Sequence, residues 1–130
     1  MPFDSIFRPG LFAGQTIIVT GGGSGIGRCT AHELAQLGAT VALVGRTAAK
    51  LEAVAGEIAD AGGRALTFAC DIREEAQVRD VVQQVLALQG RIDGLVNNAG
   101  GQFAAPLATI SQRGWDAVVR NNLTGGFLFA

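Results

Sequence analysis

The chain has 130 residues, 48% of them hydrophobic and 16% charged, with a formal net charge of −1. That length suits one domain rather than two, and the apolar content supports a core and argues against disorder. Mixed, near-neutral charge excludes a nucleic-acid arm, a polybasic membrane patch and an acidic tail.

Met1–Gly14 is a lead-in without the basic-then-apolar order of a secretory leader, and no apolar run nears the ~20 residues of a bilayer span. A cytoplasmic location is expected, with no nucleic-acid or membrane partner. Gln15–Thr20 is a β-branched apolar run that stops at a glycine cluster, which predicts a buried strand. Ile26–Leu37 predicts a helix ended by Gly38. Thr40–Val44 is a second buried strand. Leu51, Val54, Ala55 and Ile58 fall at helical spacing within Ala48–Ala61, and Gly62-Gly63 ends that segment. Arg64–Cys70 gives a third strand. Val78, Val81, Val82 and Val85 mark an amphipathic helix closed by Gly90. Ile92–Asn97 is a fourth strand that reads as a central one. A loop with Pro106 follows, and a final helix runs from near Ser111 to Ala130.

Strict alternation of strand and helix predicts an α/β fold: a Rossmann-like, doubly wound parallel sheet in three α/β/α layers, with strand order 3-2-1-4. Residues 1–130 read as a single domain. Four strands are about half of such a sheet, so the chain is expected to be truncated after strand four and the start of the next helix. The two cysteines, Cys29 and Cys70, lack metal-binding spacing and are expected to be buried free thiols.

The 19 glycines cluster at turns, and the densest cluster carries chemistry. Thr20-Gly21-Gly22-Gly23-Ser24-Gly25-Ile26-Gly27 joins a strand to a helix. A pyrophosphate is stabilised by free N–H groups at a helix N-terminus, and glycines let the backbone approach it. GxGxxG fails, because a third glycine would have to stand at Arg28. A P-loop fails, because Arg28-Cys29 replaces Lys-Ser/Thr. TGxxxGxG remains.

With this loop, Asn97-Asn98-Ala99-Gly100 after strand four, and Trp115 through Gly125, the chain resembles the short-chain dehydrogenase/reductase family over nearly its full length. The resemblance implies a nicotinamide dinucleotide cofactor held by Gly21, Ser24, Gly25, Ile26 and Gly27. Gly45-Arg46 stands where an NAD enzyme carries a carboxylate, so NADP(H) is expected over NAD(H), with Arg46 on the 2′-phosphate and Ser24 adding a hydroxyl. By resemblance Asp71 accepts from the adenine amino group and Ile72 stacks nearby. Asp71-Ile72-Arg73-Glu74 also reads as a capping box. Asn97 is expected to brace neighbouring strands, and Asn98, with Ala99 and Gly100, to lie near the cofactor ribose.

The family's carbonyl or alkene chemistry uses Ser, Tyr, Lys and Asn. Only the asparagine has a counterpart, Asn122, next to Asn121. The chain has no tyrosine, and its one lysine is Lys50. The function expected by resemblance is therefore that of an NADP(H)-dependent oxidoreductase, with a non-catalytic dinucleotide-binding fragment as the alternative. His32, the sole histidine, reads as a surface or packed residue. Arg28 reads as a cap on the solvent side. Gly100-Gly101-Gln102-Phe103 and Pro9-Gly10-Leu11 are similar to trans-2-enoyl-CoA and 2,4-dienoyl-CoA reductases, and the N-terminal part equally to citronellol-type terpene alcohol dehydrogenases. Small-molecule carbonyls, alcohols or enoyl-CoA thioesters are the expected substrates, and a homodimer or homotetramer the expected assembly.

Overall fold

A computed structural model describes residues 4–130. Four parallel strands form one sheet in the order β3-β2-β1-β4, where β1 is Thr16–Thr20, β2 Thr40–Gly45, β3 Arg64–Ala69 and β4 Gly94–Val96. The expected order and the Rossmann-like α/β architecture are both found. Helices α1 (Gly25–Gln36), α2 (Ala48–Asp60) and α3 (Glu75–Gln89) are the crossovers.

Alternation along the strands sorts the core into two layers. Ile17, Val19, Val41 and Leu43 face α1 and α2, packing with Ala31, Ala35, Leu51, Val54 and Ile58. Ile18, Ala42 and Val44 face the other way, onto Val78, Val81, Val85 and Phe129. The continuous apolar runs of β1 and β2 are thus explained: each strand is covered on both faces.

The fourth strand departs from expectation. It has three residues rather than six, all half-buried, and among the described residues it pairs with β1 alone. Asp93, just before it, still donates its backbone N–H to Thr16 O at 2.8 Å. Its carboxylate accepts from the Thr16 backbone N–H at 2.7 Å and is gripped by the Arg91 guanidinium.

The last helix is also not one uniform cylinder. Ser111 Oγ caps α4 (Gln112–Val118) by accepting from Gly114 N–H at 3.1 Å. A π-helical turn, Val119–Thr124, then leads into α5 (Gly125–Phe129). Before them a 3₁₀ turn spans Leu107–Thr109. Upstream of β1, Phe12 donates its N–H to Leu37 O at 3.0 Å and packs on the α1/α2 layer, which docks the lead-in against the end of α1.

The cysteine expectation holds for one residue of two. Both are free, Cys70 is buried, and Cys29 is exposed on α1. Cys70 follows β3 directly and is buried in the core, whereas position 29 falls on the outer face of α1, opposite Ala31 and Ala35.

Candidate functional site

The carboxyl ends of β1, β2 and β3 open into a cleft of about 380 Å³. Its floor is the glycine loop. Gly25 starts α1 at φ +52°, a left-handed conformation that penalises any Cβ. A Cβ on Gly27 would collide with the Gly21 carbonyl oxygen and lie 2.6 Å from Asn98 Nδ2, so only glycine lets α1 sit this close to β1. The first backbone N–H groups of α1 point out of the helix without a side-chain cap, since Ser24 makes no cap bond.

The loop is stitched to the end of β4. The Thr20 hydroxyl, 1% exposed, accepts from the backbone N–H groups of Asn98 at 3.0 Å and Ala99 at 2.9 Å. It donates to Val96 O at 3.3 Å, and Asn98 Nδ2 donates to Thr20 O at 3.0 Å. Residue spacing places this threonine at the head of the glycine loop but assigns its hydroxyl no bracing role. Its signal is local: a hydroxyl at the end of a wholly buried strand must find partners.

Of the residues expected at a site, Gly21, Ser24, Gly25 and Ile26 line the cleft from the loop, and Arg46 from the end of β2. Asp71 and Ile72 line it beyond β3, and Asn98, Ala99 and Gly100 beyond β4. Ile26 is 78% exposed. Gly27 and Asn122 stand outside the lining, Gly27 as the packing contact just described. Thr47, Lys50 and Asn121 line the cleft as well and were not expected there. Lys50 comes into range because α2 starts immediately after Arg46-Thr47, a geometry that residue spacing alone does not reveal.

The two asparagines divide their work differently from the expectation. Asn98, not Asn97, braces the strands, through Thr20. Asn97 Nδ2 donates to Gly126 O at 3.1 Å and ties β4 to α5. The side chain needed against β1 belongs to Asn98 because β4 ends at Val96 and the chain turns there.

The capping box is not formed. Asp71 Oδ1 accepts from Arg73 N–H at 3.0 Å, two residues on, and Glu74 is itself the N-cap of α3 with no side-chain cap bond, its carboxylate facing Arg120 at 3.6 Å instead. The carboxylate is taken by the Arg73 guanidinium, at 2.7 Å from Nη2 and 2.9 Å from Nε. That hydrogen-bonded cation holds the Asp71 carboxyl at about 2, and it outweighs the partial burial that acts the other way. Next to it, burial pushes the Cys70 thiol up to about 11. Arg28 pairs with Glu57 at 2.8 Å, and the His32 ring shares the same carboxylate oxygen. These three groups tie α1 to α2 on the solvent side, so Arg28 turns away from the loop. The interaction with the His32 ring, together with that of Arg28, lowers the Glu57 carboxyl.

Asn122 sits in the π-helical turn. Its Nδ2 donates to Gly101 O at 2.6 Å and Val118 O at 2.9 Å, and its Oδ1 accepts from Gly101 N–H at 3.2 Å. The side chain therefore clamps the loop after β4 to the helix.

A glycine-floored helix N-terminus at the end of the first parallel strand, with two cationic side chains beside it, is the geometry of a dinucleotide phosphate cradle. The model for short chain dehydrogenases matches residues 15–130. The chain belongs to the short-chain dehydrogenase family. That family uses nicotinamide dinucleotides. The chain is 45% identical over 117 residues to a 2,5-dichloro-2,5-cyclohexadiene-1,4-diol dehydrogenase of Sphingobium indicum, covering 89% of this chain and 46% of that protein. It is 35% identical over 113 residues to a probable 2,4-dienoyl-CoA reductase of Bacillus subtilis, covering 87% and 44%. Among solved structures, it superposes with a TM-score of 0.93 on a citronellol catabolism dehydrogenase (AtuB) of Pseudomonas aeruginosa PAO1, with 65% identity over 98% of this chain and 52% of that one. A metagenomic short-chain oxidoreductase in complex with NADP matches with a TM-score of 0.85 and 44% identity, over 91% and 54%. The chain thus spans about half the length of the relatives it matches. The likeness to both reductase-type and citronellol-type members, expected from the sequence, is found.

Proposed function

We propose that the cleft holds the adenosine and pyrophosphate portion of NADP(H) and prefers it to NAD(H). Residues 1–130 would then be one NAD(P)-binding domain, the N-terminal half of an oxidoreductase. The observation that carries this reading is the cleft itself: an uncapped α1 N-terminus between bare glycines, with Arg46 at the mouth and Gly45 where a carboxylate would repel a 2′-phosphate. In this reading Gly21, Gly25 and Gly27 let the phosphates approach α1, and Ser24 offers its hydroxyl. Asp71 and Ile72 border the adenine, while Asn98, Ala99 and Gly100 border the ribose. When bound, the nicotinamide cofactor supplies or accepts hydride. Asn122 holds the loop after β4, on which a substrate would rest.

For the whole protein we favour hydride exchange with a small alcohol or carbonyl compound, as the citronellol-catabolism relative suggests, with an enoyl-CoA-type thioester as the second candidate on the strength of the dienoyl-CoA reductase relative. Exposed Leu123 and Phe127 on the last helical segment support assembly as a homodimer or homotetramer. A non-catalytic, cofactor-binding role is favoured by one observation: these 130 residues contain no tyrosine, and their one lysine lies in the cofactor cleft.

Calorimetric titration of the full-length protein decides the cofactor. NADPH is expected to bind at least tenfold more tightly than NADH, and Arg46→Ser is expected to remove most of that difference, as loss of a charge-assisted pair worth roughly 1–2 kcal/mol would. Equal affinities in the parent protein would overturn the preference. Turnover with NADP and citronellol, against NADPH and a dienoyl-CoA, separates the substrate classes.

A further inference from the structure

We infer that Lys50 is a second cation for the ribose phosphate, a specificity-determining residue that acts beside Arg46. This rests on the NADP(H) reading above and goes beyond it by assigning a residue on a different element.

Lys50 lies in the first turn of α2 and lines the same cleft as Ser24, Arg46 and Thr47. Its placement is fixed from below. A Cβ added to Gly23 would stand 3.1 Å from the Lys50 Cβ and 3.4 Å from Leu51 Cδ2, so the loop and the first turn of α2 are in direct contact. Leu51 is only 1% exposed and anchors that turn in the core. The base of the Lys50 side chain is thereby held against the phosphate loop, while its end is exposed.

Its charge is uncommitted. Among the described residues Arg28, Arg73, Arg79, Arg91 and Arg120 form ion pairs, and neither Lys50 nor Arg46 does. The one carboxylate lining the cleft, Asp71, is occupied by Arg73. Thr47, the N-cap of α2, makes no side-chain cap bond, so the positive end of that 13-residue helix adds to the same region. A phosphate monoester carries a charge of roughly −1.5 to −2 at neutral pH, which two cations neutralise and one does not. A diphosphate-linked ribose with a free 2′-hydroxyl offers no such group.

The test compares ligands that differ only in that phosphate. NADPH and NADH, and adenosine 2′,5′-bisphosphate and AMP, are titrated into the full-length protein and its Lys50→Met, Lys50→Arg and Arg46→Ser variants. Lys50→Met is expected to weaken NADPH and the bisphosphate about fivefold, and to leave NADH and AMP within about twofold. It is also expected to flatten the salt dependence of NADPH binding, and Lys50→Arg is expected to restore most of the loss. If the parent protein prefers NADPH and Lys50→Met leaves the NADPH-to-NADH ratio unchanged, the Lys50 assignment alone is overturned. Equal weakening of all four ligands also overturns it, since that is the mark of a structural role. A parent protein that binds NADH as well as NADPH overturns both readings together.

Discussion

Asp71 shows how one side chain carries both structure and site. Its carboxyl is held at about 2, below its ordinary 3.8, chiefly by the hydrogen-bonded Arg73 guanidinium. Because the folded value is depressed, the ionised pair contributes its full stabilisation above about pH 4, and this is lost as pH falls through about 2. The contribution is about 1 kcal/mol after allowance for solvent screening of a partly exposed pair. Urea unfolding between pH 2 and pH 6 is expected to show that slope in the parent protein and a flatter one in Asp71→Asn. Indistinguishable slopes would mean that the Asp71–Arg73 pair does not form. Arg73 was legible in the sequence only as a filler position of D-x-x-E. The competition it wins, guanidinium against helix cap, depends on side-chain reach, which a spacing pattern does not encode.

At the scale of elements, the joint between β1 and the end of β4 turns on one side chain, Thr20. Each backbone N–H that Thr20 receives would lose its partner in Thr20→Val, at a cost of about 1–3 kcal/mol in total because Asn98 and Ala99 remain partly accessible to water. Chemical denaturation is expected to show that loss, and Thr20→Ser is expected to recover most of it. A neutral Thr20→Val would show that water replaces the hydroxyl. Strand and helix order were readable because β1, β2 and the core faces of α1–α3 carry unbroken periodicity. The short β4 was not, because Ile92, Leu95 and Val96 satisfy the same apolar pattern whether or not the ladder forms. The π-helical turn was hidden for a related reason: inserting one residue into a helical turn leaves composition unchanged and shows only as an irregular hydrogen-bond register. In the site, glycine positions and Arg46 were legible as chemistry tied to local backbone demands. The places of Thr47 and Lys50 in the cleft lining and the bonds of the Thr20 hydroxyl were not, since they arise from elements that meet only after folding.

For the molecule as a whole, the sheet has two outer strands, β3 and β4, and the far edge of β4 is unpaired among the described residues. Leu107, Leu123 and Phe127 are 83%, 69% and 75% exposed on the segments that follow it. An unpaired edge beside apolar side chains is a template for association. Light scattering of the 130-residue segment by itself is therefore expected to show self-association at micromolar concentration. The double change Leu123→Glu with Phe127→Glu is expected to reduce it. A monodisperse monomer would show that this edge is adequately protected.

The contact between α2 and the β2 terminus also limits how coenzyme choice can be re-engineered. The usual idea for turning such a cleft toward NADH is to install an acid after the second strand. Here a Cβ at position 45 would sit 3.2 Å from Leu51 Cδ2, a side chain sealed in the interior. Gly45→Asp would therefore press on the hydrophobic layer as well as add a charge. Any electrostatic gain would be offset by the few tenths of an ångström that Leu51 has to give. Position 45, at the mouth of the cleft, is thus coupled to the core through one leucine, and a redesign of the cleft is best made at positions 45 and 51 together.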